Sequence, residues 1–320
     1  MGLQTRTATA MRWRAAGLAV IVAAITTAAQ AQAPAPTPPP TPPPAAAPAP
    51  SVDLFDSGKL LATSGVSQID GAAGGGLTPW ALITGYETRD AIGANAHYTF
   101  VHTGSYTLHS TGASIGLFDR VELSYAREIF DTRKVGGKLG LGNGFTFNED
   151  VFGAKLRVAG DAVYDQDTLM PQTAVGLQYK RNDQSAVIHA IGGKSAEGVD
   201  FYGTATKLFL EQSVLLNATV RATRANQLGI LGFGGDRNSG YSAEFEGSAA
   251  YLLSRKTAIG FEYRAKPNNL SFAAESRWLD VFIAYFPTRN VSLTLAAVDL
   301  GDIALQRRQR GVYLSVQAGF

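Results

Sequence analysis

Residues 311–320 read GVYLSVQAGF. Successive side chains of an extended strand point to opposite faces. Val312, Leu314, Val316, Ala318 and Phe320 therefore share one face, and Tyr313, Ser315, Gln317 and Gly319 share the other. One face is wholly apolar, the other polar or small. The same period of two returns upstream. Val121, Leu123 and Tyr125 alternate with Glu122, Ser124 and Ala126; Val214, Leu216, Ala218 and Val220 alternate with Leu215, Asn217, Thr219 and Arg221. Phe152 to Val158 and Ile259 to Arg264 follow the same rule. No apolar run in this region reaches the roughly 20 residues that a membrane-crossing helix needs.

A soluble sandwich also alternates, so three further features carry the reading. The polar face bears charges in mid-strand beside very small residues, which a water-filled or salt-bridged lumen tolerates. Trp80, Tyr86, Phe118, Phe130, Tyr179, Tyr251, Trp278, Tyr285 and Phe286 fall near strand ends, where interfacial aromatic girdles belong. Phe320 closes an alternating strand, and with Tyr313, Val316 and Ala318 it resembles the C-terminal assembly signal of outer-membrane barrels. The predicted fold class is all-β: a transmembrane antiparallel up-and-down β-barrel of about 14 strands, within 12–16. The strands are expected near 59–69, 78–86, 92–101, 105–117, 120–130, 151–160, 172–180, 200–209, 214–224, 242–251, 257–266, 277–285, 291–299 and 311–320. With both barrel ends in the periplasm, the inner turns are mostly short, while 131–150, 181–199, 225–241 and 300–310 form long outer loops. The apolar run 186–191 suits an extra strand or a short helix.

The first 33 residues read as a secretory signal peptide: Arg6, Arg12 and Arg14 without an acid, an apolar run from Ala15 to Ile25, and small-x-small exits at Ala29–Ala31 and Ala31–Ala33. Residues 34–57 are expected to be a Pro/Ala-rich linker, since 34–50 hold ten of the fourteen prolines. The linker is a periplasmic spacer, a cell-wall contact or simply solvated chain. Residues 58–320 are the barrel. The whole chain has 28 basic and 26 acidic residues; without the leader the balance is 25 to 26, so the sequence has no basic domain for nucleic acid. With no cysteine there is no disulfide, thiol chemistry or lipid-modified N-terminal cysteine. The expected partners are outer-membrane lipid and lipopolysaccharide, with barrel-assembly machinery and periplasmic chaperones during biogenesis.

Few motifs point to catalysis, and no cofactor is expected. Gly112-Ala-Ser114-Ile-Gly116 matches G-x-S-x-G, but it lies inside a strand without the strand-to-helix elbow that exposes the serine. His97 shares a face with Asn95 and Thr99, so a barrel hydrolase built on His97 or Ser114 is conceivable, without a second half to its constellation. Asp161, Asp165 and Asp167 form an acidic turn that lacks the glycine and terminal glutamate of a calcium loop. Gly71–Gly76 reads as a flexible segment able to fold into the lumen. By parity the lumen-facing set is Glu122, Lys155, Arg157, Gln178, Lys180, Arg221, Glu244, Glu246, Glu262 and Arg264. Such charges either select ions in a wide pore or pair across a narrow one.

Four segments resemble an uncharacterised family of proteobacterial outer-membrane proteins that carries only a domain-of-unknown-function label. They are FDRVELSYARE (118–128), FGAKLRVAGDAVYDQD (152–167), PQTAVGLQYKRND (171–183) and ATRANQLGILGFGGD (222–236). The resemblance covers roughly Leu54 to Phe320. It implies a barrel in the outer membrane and brings no substrate, catalytic residue or cofactor. The expected function is a passive channel or transporter for small solutes. A closed barrel acting through its outer loops is the alternative, and a membrane-embedded hydrolase a remote one.

Overall fold

The computed structural model describes Leu54 and residues 58–320; the leader and nearly all of the proline-rich segment lie outside the described residues. A short hairpin, β1 (Val66–Ser67) and β2 (Ala73–Gly74), comes first. The wall follows as β3 (Ile92–Thr103), β4 (Thr107–Leu117), β5 (Val121–Asp131), β6 (Thr146–Ala159), β7 (Gln172–Asn182) and β8 (Glu197–Phe209). It continues as β9 (Val214–Thr223), β10 (Ser242–Ser254), β11 (Thr257–Arg264), β12 (Trp278–Thr288), β13 (Val291–Asp299) and β14 (Arg310–Gly319). Each wall strand pairs antiparallel with its sequence neighbour, and β14 closes on β3 from Gly311↔Thr103 to Gly319↔Asn95. Closure leaves no unpaired edge, the condition for a sheet in lipid.

The wall is inside-out relative to a soluble protein. On β14, Val312 is 44% exposed and Val316 50%, whereas Tyr313, Ser315 and Gln317 are buried. Phe152, Val175, Val220, Phe261 and Val281 are likewise exposed, while Lys155, Thr219 and Glu262 on the opposite face are buried. Water would not leave so many apolar side chains outside and charges inside; hydrocarbon does. This is a transmembrane β-barrel.

The wall has twelve strands rather than fourteen. The twelve expected from 92 onward all form, but 59–69 and 78–86 are not wall. They belong to a segment that runs inside the lumen, and from Thr63 to Tyr86 every residue is buried. A segment enclosed on all sides has no lipid face, so its burial does not alternate. The aromatic girdle changes accordingly. Trp80 and Tyr86 are in the lumen, and Phe130, Trp278 and Phe286 point inward; Phe118, Tyr251 and Tyr285 remain outside.

Short connections lie at the end where the lumen segment enters. At the other end, 132–145 carry helix α1 (Arg133–Lys138) and 183–196 carry α2 (Ser185–Ala190), which settles the 186–191 run as helix. A 3-10 turn, Gln227–Gly229, sits in the loop after β9. This is the loop asymmetry of bacterial barrels, whose short turns lie in the periplasm, and the two ends are called periplasmic and outer accordingly. Val135, Ile188, Ile230, Leu231 and Ile303 from four outer loops pack with Tyr106, Phe130 and Phe147 into an apolar cap, enclosing a cavity of about 30 Å³.

Candidate functional site: a charged girdle around a lumen plug

Residues 58–91 form a plug, which meets the wall through an apolar patch, where Val66 and Trp80 pack against Leu215, Ala250 and Phe282, and through a set of hydrogen bonds. The backbone of Ala73 and of Thr84 each donates to Glu122, at 3.0 and 2.9 Å. Lys155 answers Glu122 at 3.1 Å and also donates to the carbonyls of Ala73 and Leu82, both at 2.8 Å. Leu77 N–H and Thr78 Oγ1 donate to Glu262, each at 2.7 Å. Thr204, Asn217 and Thr219 all donate to the Pro79 carbonyl. Trp80 Nε1 donates to Ser248 Oγ at 2.9 Å. Gly71 lets this chain turn, with φ of +93°. Gly75 lets it lie against the wall, since a Cβ there would fall on the Glu262 carboxylate.

Asp70 reaches furthest across. Its carboxylate accepts from Lys180 at 2.8 Å and from Arg264 at 3.0 Å, all three fully buried. These two cations belong to a girdle that crosses consecutive strands from β5 to β12. Its acids are Glu128, Glu149, Asp200, Glu246, Glu262 and Asp280; its cations are Lys180, Arg221 and Arg264. Arg221 forks onto Glu246 and donates to Gln178 Oε1 at 2.7 Å. Arg264 lies 3.3 Å from Glu246, and Asp200 lies 3.8 Å from Lys180 and 3.7 Å from Arg221. Glu128 and Glu149 are register partners on β5 and β6, and no donor reaches any of their four carboxyl oxygens. Glu262 and Asp280 are partners on β11 and β12, where one oxygen of Asp280 also lacks a donor.

Lys180 also donates to the Leu228 carbonyl at 2.7 Å. Leu228 lies in the outer loop whose turn bends into the lumen, with Gln227 and Leu228 at φ of +46° and +66°. One ammonium group thus touches both the plug and the outer cap.

The parity-derived residues fall as follows. Glu122, Lys155, Gln178, Lys180, Arg221, Glu246, Glu262 and Arg264 are buried in the lumen. Glu244 points inward at the outer mouth and is half-buried. Arg157 is at the periplasmic mouth, bound to Asp119 and to Asp161, rather than among the girdle charges. Sequence reasoning missed Asp70, Glu128, Glu149, Asp200 and Asp280. Glu128, Asp200 and Asp280 sit on the inward parity of expected strands, which was the available signal; Glu149 fell in the expected outer loop 131–150, within which β6 already begins at Thr146, and Asp70 lies outside the wall and had none. Of the assembly-signal residues, Val316 and Phe320 face outward, Tyr313 is wholly buried, and Ala318 lies on the outward parity.

The serine and histidine candidates are engaged by the plug or by neighbouring wall side chains. His97 Nε2 is 3.4 Å from Ser110 Oγ, whose proton goes to the Ile69 carbonyl. Ser114 Oγ shares a hydrogen bond with Thr84 Oγ1. Asn95 takes Ser67 Oγ. All of these contacts hold the plug or line it. Asp161 binds Arg157 and caps the amides of Val163 and Tyr164. Among the described residues no three acids or histidines converge as metal ligands would.

A family model described as "Protein of unknown function (DUF3034)" matches residues 63–317. The chain belongs to that family. The DUF3034 match starts within the plug, so plug and wall are both inside it. No curated protein matches the chain in sequence. Among solved structures the chain is similar to the KdgM porin (11% identity, TM-score 0.47, 71% of this chain and 99% of that one). It is also similar to the COG4313 outer membrane channel from Pseudomonas putida F1 (12%, TM-score 0.46, 72% and 95%). A third is outer membrane phospholipase A from Escherichia coli (10%, TM-score 0.40, 74% and 94%).

Proposed function

We propose that this DUF3034 barrel is an outer-membrane channel for small polar solutes, shut in the described state by its own residues 58–91. The observation that carries the reading is what fills the lumen. Side chains of the wall alone can fill a small barrel. Here a separate stretch of chain fills it, and the wall facing it is hydroxyl, amide and charge over much of its extent, with an apolar patch of Leu215, Ala250, Phe282, Ala284 and Phe286 against Val66 and Trp80. When the plug leaves, water can replace the hydrogen bonds made by the polar part of that wall. The closed state is tight: the seam between Gly65, Trp80, Ala250 and Phe282 holds a cavity of about 30 Å³, room for roughly one water.

The apolar cap favours a second reading, a barrel that stays closed and acts through its outer loops. Purified protein in planar bilayers separates the two. The variant to compare carries Asp70→Ala, which removes the plug's ion pairs, and Gly75→Leu, which wedges it from Glu262. Steady current through this variant and little through the parent is the expected result. A folded variant that passes no current at any voltage would leave only the closed barrel.

A further inference from the structure

We infer that the channel, once unplugged, selects cations: small inorganic cations or protonated amines. The inference rests on the channel reading above and names the solute class. The girdle holds six carboxyl side chains against three cations, Lys180, Arg221 and Arg264. Nearer the periplasmic end Glu122 and Lys155 cancel. The wall therefore has an excess of three acids before the plug is counted.

A second observation makes that excess more than a tally. The acids in surplus are not spoken for by neutral donors. Glu128 and Glu149 are fully buried, face one another in register, and meet no N–H or hydroxyl. Asp280 likewise keeps an oxygen without a donor. A buried carboxyl with no donor is costly as an anion, so the closed state leaves these acids without the hydrogen bonds that would hold their charge. When the plug withdraws and water enters, these groups regain the ordinary solvated condition in which carboxyls are ionised at neutral pH. The wall cations keep acidic neighbours: Arg221 has Glu246 and Asp200, and Arg264 lies 3.3 Å from Glu246, although its Nε and one Nη have no hydrogen-bond partner. Rings of acidic side chains are how pores favour cations.

The test measures reversal potential in a KCl gradient across a bilayer holding the Asp70→Ala/Gly75→Leu protein. Potassium is expected to pass severalfold more readily than chloride. Adding Glu128→Gln, Glu149→Gln and Asp280→Asn should bring the ratio close to one. Glu149→Gln alone should shift it in the same direction by a smaller step, which covers failure of the triple variant to assemble. Chloride preference, or a ratio indifferent to these substitutions, would overturn the inference while leaving the channel intact. Absence of current from folded, loosened protein would instead remove the channel reading beneath it.

Discussion

Asp70 shows how much one side chain can decide. It is the plug's contribution to a girdle whose cations would otherwise be short of partners, and removing one member of such a buried pair typically costs about 3–5 kcal/mol. Glu87 poses the opposite problem at the periplasmic mouth. It is buried just before β3, 3.3 Å from Lys59, yet neither carboxyl oxygen receives a hydrogen bond. Burial pushes its carboxyl up to about 7, against the pull of Lys59. A raised carboxyl binds its proton more tightly folded than unfolded. Its contribution is therefore complete below the unfolded value near 4.5 and is lost as pH rises through about 7. The urea midpoint of the barrel in micelles should be higher at pH 5 than at pH 8, by a free energy on the order of 3 kcal/mol. In Glu87→Gln the difference should shrink to what the other groups contribute. A parent midpoint flat or rising over that interval would contradict the assignment.

At the scale of elements, wall strands and plug obey different rules, and this decides what could be read from the sequence. A wall strand separates lipid from lumen, so its two faces differ in composition. Twelve strands were legible for that reason, β14 best of all. The girdle acids Glu128, Asp200 and Asp280 lay on the same legible parity, whereas Glu149 fell in 131–150, expected as loop. The plug separates nothing. Segments 59–69 and 78–86 pass for strands because they are extended and rich in small and apolar residues, but all their neighbours are protein. Only the glycine run 71–76 hinted that chain enters the lumen. The cap was half legible: 186–191 showed as an apolar run, but its docking onto Ile230 and Ile303 depends on loops distant in sequence. Ile188 is 0% exposed there. Ile188→Ala should loosen the cap by about 2–5 kcal/mol, the usual cost of such a truncation. Hydrogen exchange should then quicken in 185–190 and 227–231, while amides of β9 and β10 keep their protection. Equal loss in wall and cap would show that the loops are not a separate layer.

For the whole molecule, lipid is part of the fold. Many outward apolar side chains are left exposed by the protein, so the barrel owes its standing to the solvent that meets them. Val220, 57% exposed on β9, is flanked by buried Thr219 and Arg221. Val220→Arg places a charge against hydrocarbon, which costs roughly 2–4 kcal/mol near the bilayer midplane. Its neighbour already carries an arginine at no such cost because that one points inward. Folding into vesicles, followed by the heat-dependent gel shift of intact barrels, should be impaired for this variant. Insertion equal to the parent would mean that the outer face is not in lipid.

The carbonyl of Phe320 accepts from both Tyr86, where the plug leaves the lumen, and Ala94, near the start of β3. One oxygen thus fastens the stopper and the first stave at the joint where the two ends of the folded sequence meet. A change at the end of β14 would therefore bear on the seat of the stopper and on the closure of the wall together.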